Sequence, residues 1–563
     1  MANAEDHEHG TSFCGQLPIF RDAGSPLAIH KGEKQMLTSA LGYRGAFTAP
    51  HRVAALTGQE VIDAGGTAVE AMVAAAAMIA VAYPHMNGIG GDCFWLIKRK
   101  GAKPIEIAGC GPAAEMATVD WYREQGHTDA IPARGGLAAL TVPGTLGGWK
   151  QALSTGSSQK PIPLGELLWP AVSYAREGIA VTANQSACTA DKLDTLQGVP
   201  GFDETFLVDG KPPVAGHRMI QTALGDTLET VGQYGIDAYY RGDIALTHAA
   251  FLEKHGSPLR YSDFETYEAQ MLQPLSLETK TGTLYNSNPP TQGISSLMIL
   301  GIYERLGIDS AEGIEHIHGL VEATKQAFIL RNAGLADPAV MGDLPEQWLS
   351  DACLDELAGK VDMNSALPWP HESIDGDTIW MGAIDHYGTV ISFIQSVYWE
   401  FGSGLVCPDT GVFFQNRGAG FSIAEGPNQL APRKRPFHTL NPALAELKDG
   451  RVMAYGTMGG EGQPQTQATI FSRYAMHGKD LQEAITRPRW LLGKTWGDAT
   501  TALKLEDRYD GDIISRLEKM GHSIEIIAPY SDLAGHAGGV VIHESGLVEA
   551  ATDPRSDGAP LAF

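Results

Sequence analysis

Cysteine is scarce in this chain: six among 563 residues, at Cys14, Cys93, Cys110, Cys188, Cys353 and Cys407, with no CxxC pair. That scatter argues against a disulfide framework or a structural zinc site, and free thiols in a reducing compartment are expected. Positive charge is also short. Lys and Arg number 41 against 66 Asp and Glu, a net charge of −25, whereas a general nucleic-acid binder needs a clustered cationic surface to displace counterions. Long apolar runs are missing as well. The most hydrophobic stretch, Ala71 to Ala82, falls far below the roughly 20 residues that span a bilayer, so no membrane association is expected. The first ten residues are polar and acidic, where a secretory signal has a basic start and an apolar core. The expected location is cytoplasmic.

Several catalytic signatures are absent too. No serine, Ser403 included, sits in a G-x-S-x-G elbow, which removes the usual sign of a serine hydrolase. There is no HExxH; His7 and His9 lie in the acidic leader, and His316 and His318 stand two apart in a helical pattern, where they cannot face one ligand together. The glycine turn Asn87-Gly88-Ile89-Gly90-Gly91-Asp92 lacks GxGxxG spacing, and no Walker lysine follows a glycine cluster. The motifs call for no metal, no nucleotide and no other cofactor.

Apolar spacing predicts helices over Val53–Ala64 and Thr67–Val81, split by Gly65-Gly66, with Thr67 and Glu70 forming a capping-box pattern. Cys93–Lys98 reads as a strand after the glycine turn. Residues from about 163 to 334 read as mostly helical, including Gly165–Glu177, Ser295–Leu306 and Ile314–Arg331. Beyond Thr378 the character changes to short β-rich segments: Gly382–Ile384, Thr389–Val397, Gly411–Phe414, Ala443–Leu447, Val452–Tyr455 and Gly539–His543. Helices return at Thr466–His477 and Asp510–Met520. No linker-like composition divides the chain, so one large globule with helices covering sheets is expected after an irregular leader over residues 1–45.

The α-helix-rich half meets the strand-rich half at Gly376-Asp377-Thr378-Ile379-Trp380. Threonine inside a chain is a weak nucleophile, but at a new N-terminus its own α-amino group lies beside its hydroxyl as a base. Taken singly, Thr378 is a strand-former, Gly459-Gly460 a turn and Ser396 a strand serine. Together with a series of ordered blocks they resemble the gamma-glutamyltranspeptidase family of N-terminal nucleophile hydrolases. The blocks are Glu60–Ala71, Asn87–Asp92, Val142–Thr145, Pro163–Gly178, Pro289–Gly293, Glu322–Pro338, Phe401–Gly404, Lys434–Pro436, Gly459-Gly460 and Asp553–Ser556.

The resemblance implies a four-layer αββα sandwich and self-cleavage between Asp377 and Thr378, leaving residues 46–377 (with the leader) and 378–563 as the two subunits of a heterodimer, or of a higher oligomer. It further implies that Thr378 attacks a small-molecule amide, that Gly459 and Gly460 offer N–H groups to the oxyanion, that Ser396 orients the nucleophile, and that water or an amine accepts the acyl group. The family's γ-glutamyl anchors are changed here. The arginine that grips the α-carboxylate falls at Cys110; the groups that receive the α-amino group fall at Tyr398, Arg417 and Gly420; the paired serines fall at His438 and Thr439. A cation in place of an acid repels an ammonium and suits a carboxylate. An acyl donor with a carboxylate and no neighbouring amine, of the oxamate type, is therefore expected, against a true γ-glutamyl hydrolase or transferase and against a non-catalytic scaffold. For Arg417 a surface or structural ion pair is the alternative role. The stretch between Ser422 and Arg435 looks shorter than the lid loop of some members, and a more open site is expected from it.

Overall fold

The computed structural model describes residues 38–156, 158, 160–370, 377–493 and 500–563. Within Thr38–Phe563, which is one compact unit, fourteen strands form two seven-stranded sheets. The first sheet runs in the order 559–562, 46–49, 377–384, 390–398, 92–98, 105–109 and 270–272. The second runs 40–42, 548–552, 537–542, 452–457, 443–447, 282–286 and 275–278. Every neighbouring pair in both is antiparallel.

The layering follows from where the apolar side chains go. Phe94, Leu96, Trp380 and Ile394 of the first sheet meet Leu444, Ala454 and Val540 of the second in a core between the sheets. The outer face of the first sheet is covered by helices that include Arg52–Asp63, Ala68–Ala82 and Leu164–Glu177. The outer face of the second is covered by Gly293–Arg305, Ile314–Gly334 and Gly462–Phe471. This is the four-layer αββα sandwich.

Local signals account for much of it. Thr67 Oγ1 accepts the Glu70 N–H while the Glu70 carboxylate accepts the Thr67 N–H at 2.7 Å, so the capping box starts a helix whose fifteen residues are all buried. A helix apolar on every side must lie inside the protein, and this one lies between the first sheet and the helix Leu164–Glu177. Several expectations need correction. Leu275–Glu278 and Gly282–Asn286, placed in a mostly helical region, are strands of the second sheet. Gly411–Phe414 makes only an isolated bridge, Val406 to Phe413, because its backbone folds back on residues 403–407: Cys407 N–H donates to Val412 O at 2.9 Å, Phe414 N–H to Leu405 O at 3.1 Å and Ser403 N–H to Phe414 O at 2.8 Å. The leader of residues 1–45 lies mostly outside the described residues; its described end carries a strand, Ala40–Gly42, paired with Val548–Ala550.

Both sheets contain strands from before and after residue 377. Residues 377–384 pair with 46–49, 390–398 with 92–98, and 443–447 with 282–286. Two fragments produced by a cut at that point would therefore stay joined by main-chain ladders and shared cores. Among the described residues no helix is long and apolar enough to cross a membrane.

Candidate active site

Thr378 is the second residue of a central strand, Asp377–Ile384, and is completely buried. Its strand pairs with Val390–Tyr398 through Asp377 to Tyr398 and Ile379 to Gln395, with a register shift between. One residue on the first strand therefore faces two, Ser396 and Val397, on the second. Such a bulge re-aims side chains at a strand end, and here it brings the Thr378 and Ser396 positions together. Ser396 Oγ accepts the Tyr398 N–H at 2.8 Å, and Tyr398 has φ of 84°, an uncommon conformation for a bulky residue. Gln463 Nε2 donates to Thr378 Oγ1 at 3.4 Å, and Gln463 Oε1 accepts the Asn441 N–H at 3.2 Å.

The glycine turn supports this strand end from the other side. A Cβ on Gly91 would collide with the Ser396 carbonyl, so only glycine allows that approach. Asp92 follows, opposite Ser396 in the ladder. Its Oδ1 accepts from Gly144 N at 3.0 Å, Gly111 N at 3.3 Å and Gln415 Nε2 at 3.0 Å, and its Oδ2 accepts from His438 Nε2 at 3.1 Å. Burial pushes the Asp92 carboxyl up to about 7, with the Arg417 charge and these donors pulling the other way. Burial and then Arg417 hold the His438 imidazole well below its ordinary value. A neutral ring fits both contacts: Nε2–H donates to Asp92 and Nδ1 accepts the Leu440 N–H at 3.3 Å.

Arg417 is 1% exposed. Its guanidinium lies 3.8 Å over the Tyr398 ring, a cation–π contact, and Nη1 donates to Thr439 Oγ1 at 3.2 Å. Nε and Nη2 have no partner among the described residues. Burial lowers the group to about 10, which leaves it cationic at neutral pH. The alternative of a surface or structural ion pair does not fit this setting, since no carboxylate among the described residues bonds those two nitrogens. Tyr398 is the ladder partner of Asp377, so the arginine stacks one side chain away from the strand end that carries Thr378.

The double glycine follows the strand Val452–Thr457. Gly459 and Gly460 have φ of 114° and 50°. Among the described residues neither of their N–H groups reaches an acceptor, while their carbonyls accept Gly462 N–H at 2.7 Å and Gln463 N–H at 3.3 Å.

The residues singled out from the sequence thus share one buried region. Cys110 lies there too, next to the Gly111 amide that Asp92 holds, with its thiol pushed up by burial to about 12. The expected open site is not what the described residues form. The segment between Ser422 and Arg435 is tied down: Ile423 and Leu430 join the core, Arg433 N–H donates to Ala113 O at 3.0 Å, and Ala113 N–H donates to Lys434 O at 2.8 Å. Sequence reasoning assigned no role to Asp92, Gln292, Gln415 or Gln463. Asp92 and Gln292 stood inside recognised blocks, and Gln415 and Gln463 lie within four residues of Arg417 and Gly459, so proximity was the available signal.

Elsewhere, His316 and His318 do point apart, to Ser472 and to His522 at 3.0 and 2.8 Å. His318, Glu322 and His522 converge, but the Lys325 ammonium already lies 2.7 Å from Glu322. His7, His9, Cys14 and Gly376 are outside the described residues.

Comparison with known proteins followed the same lines. The family described as gamma-glutamyltranspeptidase matches residues 54–563. The chain is 49% identical over 531 residues to the oxamate amidohydrolase proenzyme of Klebsiella pneumoniae, covering 94% of this chain and 100% of the relative. It is 37% identical over 534 residues to the glutathione hydrolase-like YwrD proenzyme of Bacillus subtilis, covering 94% and 100%. Among solved structures, cephalosporin acylase from Bacillus halodurans superposes with a TM-score of 0.87 at 28% identity, covering 96% of this chain and 99% of that one.

Proposed function

The chain belongs to the gamma-glutamyltranspeptidase family of N-terminal nucleophile hydrolases, and from that premise we propose a self-processing amidohydrolase that uses Thr378 on a small amide bearing a carboxylate but no neighbouring amine. The acyl donor is of the oxamate type. The observation that carries the substrate is Arg417: a fully buried guanidinium beside the Thr439 hydroxyl, with two nitrogens unpartnered among the described residues. Buried donors without acceptors are costly, and a substrate carboxylate supplies the missing acceptors in the bidentate geometry that arginine favours.

In processing, Thr378 Oγ1 attacks the Asp377 carbonyl, the acyl group passes from nitrogen to oxygen, and water cleaves the ester. The products are a C-terminal Asp377 carboxylate and a free α-amino group on Thr378. That amine is the general base in turnover, since an α-amino group ordinarily titrates at about 7.7–8.0, close to the working pH. Thr378 Oγ1 then attacks the donor amide, the amine leaves, and water or an amine releases the acyl group. Gly459 and Gly460 N–H groups stabilise the oxyanion. Ser396, across the bulge, orients the hydroxyl, and Tyr398 holds Arg417 flat. Asp92 and His438 brace that wall. The γ-glutamyl alternative needs an anchor for an α-carboxylate at Cys110 and an acceptor for an ammonium near Arg417. A neutral thiol and a guanidinium are poor at both.

Two measurements test this reading. Wild-type protein should run as two bands on a denaturing gel and Thr378→Ala as one; a wild type that stays full-length would favour a scaffold. Processed enzyme should turn over oxamate faster than a γ-glutamyl anilide. The reverse order would sink the substrate assignment and leave the nucleophile standing.

A further inference from the structure

We infer that Gln292, backed by Arg331, is a positioning residue that sets the spacing between the carboxylate holder and the oxyanion donors, and so selects the length of the acyl chain. The inference rests on the Thr378 reading above and adds a part of the site that lies before the proposed cleavage point.

Gln292 is completely buried at the start of the helix Gly293–Arg305. Its amide nitrogen donates to two carbonyls from different loops, Thr439 O at 2.8 Å and Gly460 O at 2.8 Å. Both amide hydrogens are thereby used, and the planar NH2 group fixes the angle between its two acceptors. Thr439 is the residue whose hydroxyl contacts Arg417, and Gly460 is one of the two proposed oxyanion donors. One side-chain nitrogen therefore ties the two ends of the donor site together.

The amide is itself held. Its Oε1 accepts from Arg331 Nη1 at 3.0 Å, and Arg331 Nη2 pairs with Glu461 at 2.8 Å, next to the double glycine. The backbone adds a second grip: Gln292 N–H donates to His438 O, and His438 N–H to Pro290 O, both at 2.9 Å. Arg331 and Glu461 are each 3% exposed, so water does not compete for these bonds.

This arrangement has a chemical consequence. In a carboxylate-bearing amide, the separation between carboxylate and reacting carbonyl is the length of the acyl chain. With the Arg417–Thr439 wall and the Gly459–Gly460 turn locked at one spacing, one chain length places its carbonyl on the oxyanion donors and its neighbours miss. A misplacement of about 1 Å costs on the order of 100-fold in rate.

The experiment compares kcat and KM of the processed wild type, Gln292→Met, Gln292→Glu and Arg331→Lys on oxamate, malonamate and succinamate. Gln292→Met and Gln292→Glu should each lose about 100-fold in kcat/KM on the preferred donor, as expected for a displaced oxyanion donor, and discrimination among the three donors should collapse to within about threefold. Gln292→Glu keeps the acceptor that Arg331 needs and the side-chain shape, and replaces the two-hydrogen donor by a carboxylate oxygen that repels both carbonyls, so it separates the spacing role from simple packing. Arg331→Lys keeps a cation opposite Glu461 and should give the same flattening with about a tenfold loss; it carries the test if the Gln292 variants do not fold. A uniform loss on all three donors with discrimination intact, or wild-type kinetics in Gln292→Glu, would overturn the inference. Thr378→Ala is measured alongside: if it turns over oxamate as the wild type does, the underlying nucleophile reading fails instead.

Discussion

Removing the Arg417 guanidinium should separate activity from stability, and the structure sets the size of both effects. In Arg417→Met the substrate loses up to two charge-assisted hydrogen bonds, each worth about 1.5–3 kcal/mol. Together that is about 3–6 kcal/mol, close to the usual cost of breaking one side of a buried pair, and kcat/KM on oxamate should fall by roughly 150- to 25,000-fold. The fold itself loses little. Without substrate, Arg417 has one hydrogen bond to Thr439 and the Tyr398 ring to repay the loss of hydration on burial. Replacing buried ionic groups with apolar side chains of similar volume is often neutral or stabilising by about 1–4 kcal/mol when no uncompensated charge is left behind. The charge that Arg417 leaves behind is Asp92, already raised to about 7 by burial; without the cation it rises further and is neutral at pH 7, so no orphan anion remains. The assay is steady-state turnover of oxamate beside thermal unfolding of the substrate-free processed enzyme. Near-wild-type turnover with a clearly lowered Tm would refute the argument, because it would make Arg417 a structural residue.

The same geometry predicts a pH effect on binding. Asp92 and a bound carboxylate both face Arg417, so the carboxylate favours protonated Asp92; KM for oxamate should be lower at pH 6 than at pH 8, by up to about tenfold, and Asp92→Asn should make it flat. A KM that falls as pH rises in the parent enzyme would contradict this. Away from the site, Arg489 and Arg555 flank Asp553, with Arg555 also on Glu506 at 2.6 Å. Burial raises the Asp553 carboxyl, but the two guanidinium groups outweigh it and hold it at about 2 against an ordinary 3.8. A depressed carboxyl stabilises above its unfolded value, and that contribution is lost as pH falls from about 4 through about 2. Asp553→Asn should cost about 3–5 kcal/mol at pH 7, seen as a lowered Tm whose deficit shrinks in acid; an unchanged Tm at pH 7 would show the network to be dispensable.

Much of the scaffold was legible because its signals are local. The capping box at Thr67, the apolar spacing of Ile314–Arg331 and the β-branched run at Thr389–Val397 are each local signals, and the structure places helices or a strand there. The strands missed include Leu275–Glu278 and Gly282–Asn286, although the alternating burial of the first matches alternation in its sequence. They are four and five residues long, too short to stand out among helical patterns. In the site, the order of blocks pointed to Thr378, Ser396 and the double glycine, and a cation at a family position for an ammonium acceptor suggested what Arg417 does to substrate choice.

By itself, then, the sequence determined helices covering sheets, since periodicity and capping are written within a few positions of one another, and through motif order a family resemblance that implied the αββα layering and the residues worth suspecting. Only the tertiary structure decided what those residues meet. Gln292 joins Thr439 and Gly460 from 147 and 168 positions away, and Asp92 meets His438 across 346. Whether a buried arginine has a partner depends on every loop that closes around it, and no local pattern records which loops those are.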